Sequence, residues 1–250
     1  MNAIAESYVL AAFIAFCRIG GCFMLMPGLS SVRVPVQVRL FIAVAATGAL
    51  LIHLWDQILP FASKQPGILL PTIVSEVLIG AMIGLVTRIY VLALQFIGAG
   101  IAMMIGFGGA LAPGIDDSEP QAPLATMISF SALLLLFVFD FHHEVIKALV
   151  ESYQVAPLNG FFNAQAALVD ITDTLSEAFL MMLRLGSPFI AYAILVNLAI
   201  GFVNKLTPQI PVYFISLPFV IAGGLILLYF AAPTLLSLFA DGFLATTLGR

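Results

Sequence analysis

Charge is what this sequence has least of. Its 250 residues carry 9 Lys+Arg and 13 Asp+Glu, so 9% of the chain is charged, against about 25% in soluble domains. That is too little to cover a water-facing surface, and a soluble globular enzyme is excluded. The basic residues stand singly, so there is no phosphate-tracking stripe or polybasic lipid patch, and nucleic acid is not expected as a partner. Only two cysteines occur, Cys17 and Cys22; five residues apart on a helix, they point about 140° from each other and cannot bridge. Buried thiols are expected. There is no GxSxG, no GxxxxGK ending in Ser or Thr, and no CxxC. Nucleophilic, nucleotide and redox chemistry therefore have no carrier, and neither an enzyme nor a bound cofactor is expected.

What is abundant is apolar: 62% of residues are hydrophobic, 21 are Phe, and the mean hydropathy is +1.14. Disorder is excluded by the same numbers. In lipid the natural unit is an apolar segment about 20 residues long, and about six can be marked. Residues 8–26 form the first, interrupted by Arg18 and ended by Pro27-Gly28. No basic residue precedes Arg18, and Glu6 stands where a secretory leader would be positive, so this segment is expected to be retained. Residues 30–39 read as a surface connector because Pro35 blocks a strand ladder. Residues 40–59 form the second segment, and 60–67 a turn.

Residues 68–105 are nearly continuous, broken by Glu76, Arg88 and Gln95. As one helix they would extend about 57 Å, beyond a core of about 30 Å. Either they form a hairpin near Arg88 or one long helix packed on protein, and the second is favoured because Gly80 and Gly84 form a GxxxG pair suited to close helix contact. Residues 106–123 hold four Gly and three Pro and must end the helix. Residues 124–139 resume an apolar run. Residues 147–177 are the most polar part, with an amphipathic helix over 164–175. Residues 178–200, with Arg184 and Pro188, and 212–239, with Pro218 and Pro233, complete the set.

Connector charges do not orient these segments: Arg33, Arg39 and Lys205 fall on one side, Lys64, Lys147 and Arg250 on the other. A simple serpentine is not strongly encoded.

Three groups of residues carry candidate function. Arg18, Glu76, Arg88 and Arg184 lie inside apolar runs, where a charge at the bilayer centre costs on the order of 2.5 kcal/mol or more and faces a partner or a water-filled cavity. Glu76 and Arg88 are about 18 Å apart along a helix and cannot neutralise each other there. Architectural salt bridges and pore-lining or proton-relay charges are both open readings. The cluster Asp140, His142, His143, Glu144 brings metal ligands together in sequence, but HExxH fails because Lys147 takes the second ligand position. A polar helix end is the favoured reading, with no metal. The third group is the break itself: Gly106, Phe107, Gly108, Gly109, Ala110, Leu111, Ala112, Pro113, Gly114 and Ile115, preceded by Met103 and Met104. Irregular backbone at membrane depth must be buried in protein or line a cavity. A small, apolar, flexible loop can close a pore by dewetting yet swing aside, with the methionines as deformable contacts. An exposed connector fits the same residues.

The combined pattern resembles the FliR family of flagellar export-gate proteins. Four stretches carry the likeness: Cys17-Arg18-Ile19-Gly20 with Pro27, Val34-Pro35 and Arg39; residues 133–153 with Asp140, His142, His143, Ser152 and Tyr153, where Phe141 replaces a family glycine; the glycines, Pro113, Gln121 and Pro123 of the break; and Gly201, Lys205, Pro208-Gln209, Phe214 and Pro218. The absence of a lysine shortly after Pro218 points to the flagellar rather than the injectisome branch. The resemblance implies an all-α subunit forming a single domain over residues 1–250, with N-terminal helices 1–105, a central loop 106–123 and C-terminal helices 124–250. Its hydrophobic helices would form hairpins within a membrane complex rather than a six-span serpentine. It further implies a non-enzymatic role in the bacterial inner membrane at the flagellar basal body. The implied partners are FliP and FliQ, then FlhB, FlhA and the exported flagellar proteins, with the glycine-rich loop as the plug. A self-contained ion-coupled transporter built on the four intramembrane charges is the alternative.

Overall fold

The computed structural model describes residues 2–31, 34–61, 66–108, 112–113 and 120–248. The described chain is helical, as expected: α1 (Asn2–Leu25), α2 (Val36–Ile58), α3 (Pro66–Met104), α4 (Pro123–Val138), α5 (Phe141–Val155), α6 (Ala164–Leu206) and α7 (Val212–Leu248). The exceptions are a 3-10 turn at Leu59–Phe61 and a two-residue antiparallel bridge pairing β1 (Ala112–Pro113) with β2 (Pro120–Gln121). Five helices are long and apolar enough to cross a membrane: Glu6–Leu25, Val36–Ile58, Gly67–Met104, Ala164–Leu206 and Val212–Phe243. α4 and α5 taken together would make a sixth.

Helix ends follow local chemistry. α2 starts four residues before the sequence reading placed it, because Pro35 occupies the position where a missing N–H costs nothing. The Arg39 guanidinium then folds back to donate to the carbonyls of Val34 and Ser31. α3 is one 39-residue helix rather than a hairpin. It stops where Gly106 turns left-handed at φ +87. The Gly106 N–H donates to the Met103 carbonyl and the Phe107 N–H to the Ala102 carbonyl, the paired bonds of a Schellman closure.

α6 corrects the expectation of separate elements. The amphipathic stretch 164–175 and the apolar stretch 178–200 are one 43-residue helix, since nothing between them is a Gly or Pro breaker. Its start is marked by Asn163, whose Oδ1 accepts from the N–H groups of Gln165 and Ala166. α5 begins after Asp140, which stands at φ 54 and is the one left-handed non-glycine among the described residues. That conformation costs about 1–2 kcal/mol for a side-chain-bearing residue.

The chain divides into two compact units, residues 1–89 with 140–175 and 245–250, and residues 90–139 with 176–244. In the first, Ala11, Ile14 and Ala15 of α1 pack with Leu54 and Ile58 of α2, Tyr153 of α5 and Leu158. Tyr8 stacks on Trp55 at 4.5 Å between ring centroids. α1 lies directly on α3: a Cβ at Gly80 would sit 1.8 Å from the Arg18 carbonyl oxygen, and one at Gly84 2.5 Å from that of Cys22. The GxxxG pair is therefore where backbone meets backbone. In the second unit Ala102, Ala122 and Ala125 form a small-residue core. The Tyr90 hydroxyl donates to Glu177 at 3.0 Å, and the Tyr192 hydroxyl donates to the Val220 carbonyl at 2.7 Å.

Candidate functional site

The first unit holds the buried charge. Arg18 on α1 and Glu76 on α3 are 0% and 1% exposed. The guanidinium meets the carboxylate fork to fork, Nε to Oε2 at 2.8 Å and Nη2 to Oε1 at 2.7 Å. Its remaining donors reach Ser152 Oγ at 3.0 Å and the Ala156 carbonyl at 2.9 Å. Its Cζ lies over the Tyr153 ring, 3.8 Å from the ring centre. A bidentate pair with its spare donors used and an aromatic face beneath is what a desolvated arginine requires. Two of the four intramembrane charges thus neutralise each other across helices, while Arg88 is half-buried and Arg184 exposed on α6.

Sequence reasoning left this pairing open, although the only charge in α1 beyond Glu6 and the only charge in α3 before Arg88 are of opposite sign. It did not foresee the other partners, since the Ala156 carbonyl carries no sequence signal. Nor did it foresee a cavity of about 560 Å³ walled by α3, α5 and the start of α6, with Ser152, Val155 and Phe162 in its lining. Cys17 and Cys22 are buried and free, as expected.

The second unit holds the glycine-closed end of α3. Met103 is 68% exposed; with Met104 and Gly106 it lines a cavity of about 270 Å³, to which α6 contributes Asn197 and α7 contributes Tyr213 and Leu217. A Cβ at Gly106 would stand 3.3 Å from Leu217 and Ile221, so both φ and space favour glycine there. Phe107 packs on the Ala102, Ala122 and Ala125 cluster, and Gly108 sits against Met103. Gly109, Ala110, Leu111, Gly114 and Ile115 lie outside the described residues. Ala112–Pro113 pairs with Pro120–Gln121, tying the two ends of the intervening stretch together.

Gly201, Lys205, Pro208 and Gln209 are all exposed where α6 hands over to α7, and Pro218 is exposed within α7. Nothing lies within 4 Å of a Cβ built at Gly201. The surrounding face is apolar, with Leu206 81% and Phe219 76% exposed. Asp140, His142 and His143 come together at the start of α5.

Long apolar helices, a fully compensated ion pair between two of them and a large uncovered apolar face define a polytopic helical membrane protein. Comparison with known proteins gives its family. The chain belongs to the bacterial export proteins, family 1, whose model matches residues 9–246. It is 31% identical over 231 residues to the flagellar biosynthetic protein FliR of Caulobacter vibrioides, covering 91% of both chains. To FliR of Escherichia coli it is 29% identical, over 81% of this chain and 76% of that one. To FliR of Bacillus subtilis it is 26% identical, over 91% and 88%. The FliR resemblance read from the motifs is borne out.

Proposed function

We propose that this chain is a structural pore and gate subunit of the flagellar type III export apparatus in the bacterial inner membrane. It would assemble with FliP and FliQ, near FlhB and FlhA, and close the channel for unfolded flagellar proteins with residues 106–115. The family membership supports an export role without catalysis. The observation that carries the gating part is the end of α3: a glycine closure releases the chain into small and apolar residues, tethered beyond by the bridge between Ala112–Pro113 and Pro120–Gln121. A small, apolar, glycine-rich segment can obstruct a passage by dewetting and swing aside at its glycines. The uncovered α6 and α7 faces support assembly, because apolar surface interleaved with Lys205 and Gln209 suits protein neighbours better than lipid alone. A self-contained carrier is disfavoured, since Arg18 and Glu76 saturate each other and are not available to a moving ion.

Deletion of residues 108–115 tests the gate. The variant is expected to co-assemble at the normal level and to raise ion conductance across vesicles holding the complex. Conductance unchanged from the parent complex would contradict the plug role.

A further inference from the structure

We propose that Asp140, His142 and His143 bind a divalent transition-metal ion of the zinc class at the start of α5. The site goes beyond the export role and does not depend on it. Side chains at consecutive helical positions diverge by about 100°, yet the His142 and His143 rings approach to 4.4 Å between centroids. The Asp140 carboxylate is shared between them, with Oδ1 3.8 Å from His142 Nε2 and 3.7 Å from His143 Nδ1. One ligand atom from each residue lies within 4.8 Å of the others.

Those separations are too long for hydrogen bonds, and they leave room for an ion. Ligands about 2.0–2.1 Å from a tetrahedral centre stand about 3.4 Å apart, so small side-chain rotations close the site. Two imidazoles and one carboxylate form a donor set suited to Zn²⁺, and also to Co²⁺ or Ni²⁺, but poor for Ca²⁺ or Mg²⁺, which take oxygen. With the Asp140 and His143 side chains 68% and 70% exposed, an ion has direct access, and three protein ligands leave a fourth position for water.

A cation beside a helix N-terminus opposes the helix dipole. The Asp140 carboxylate offsets this directly, and Glu144 adds a second negative charge in the first turn of α5. The consequence is mechanical. An ion held by residue 140 and the first two residues after Phe141 locks the start of the helix that carries Ser152 and Tyr153 to Arg18.

The test is Co²⁺ and Zn²⁺ binding by the full chain purified in detergent with a tag free of histidine. About one ion per chain is expected, with the visible absorption of tetrahedral Co²⁺ and its displacement by Zn²⁺. His143→Ala should weaken binding at least about 10-fold, as even outer-sphere partners of metal ligands contribute about 10–100-fold. Asp140→Gly separates binding from folding, because glycine suits the left-handed backbone: its metal-free thermal midpoint should be no lower, while affinity falls by a similar factor. Absence of stoichiometric binding, or an affinity in His143→Ala and Asp140→Gly equal to that of the parent chain, would overturn the site.

Discussion

Glu76→Ala is expected to destabilise the protein by about 3–5 kcal/mol, the usual loss when one partner of a buried ion pair is removed and the other charge remains. The reason lies in Arg18, which is fully buried and whose guanidinium cannot be deprotonated in a protein. Ser152 Oγ and the Ala156 carbonyl would still accept from it, but neither carries the countercharge. Arg18→Met removes that cation but strands Glu76 and the Ala156 carbonyl, and should also be strongly destabilising. Replacing both, Arg18→Met with Glu76→Ala, should cost clearly less than the sum of the two losses, because no buried charge is then left unpaired. Thermal midpoints of the four proteins in one detergent provide the check. Additive losses in the double variant would mean that the two side chains act independently, against the geometry.

Gly80→Leu is expected to have an effect of similar size for a different reason. The position faces backbone, and the first atom added would overlap the Arg18 carbonyl at 1.8 Å. Neither helix can yield by rotating a side chain, so α1 must lift from α3, and the residue it lifts is the one that pairs with Glu76. Gly80→Ala alone should cost at least about 1–3 kcal/mol, the range for overpacked cores, with the leucine variant worse. Gly48 of α2 is the control: nothing lies within 4 Å of its Cβ position. There alanine should be neutral or stabilising by up to about 1 kcal/mol through helix propensity. Equal midpoints for Gly80→Ala and Gly48→Ala would contradict the close crossing.

The sequence was most legible where one residue decides the matter. The nearly continuous apolar run into α3, the glycine that ends it and the GxxxG pair all survive into the structure because backbone permission is local. Boundaries blurred where no residue decides. Nothing at 176–177 breaks a helix, so two patterns of different polarity merged into α6. Arg39, read as part of a connector, instead serves the first turn of α2. The buried charges were visible as charges but not as a pair, because 58 residues separate Arg18 from Glu76 and no periodicity spans that distance. The histidine cluster, read as a polar helix end, comes together in space at the start of α5. Its geometry depends on Asp140 adopting a left-handed backbone, which composition does not announce.

We propose that this chain is completed only by neighbours in an export gate. The most direct test is co-expression of the full chain with FliP and FliQ, followed by size-exclusion chromatography with mass determination in detergent. All three proteins should elute together in one peak of fixed stoichiometry, depleted when the exposed Leu206 and Phe219 are both changed to aspartate. A monodisperse chain eluting by itself, with FliP and FliQ elsewhere, would contradict the account.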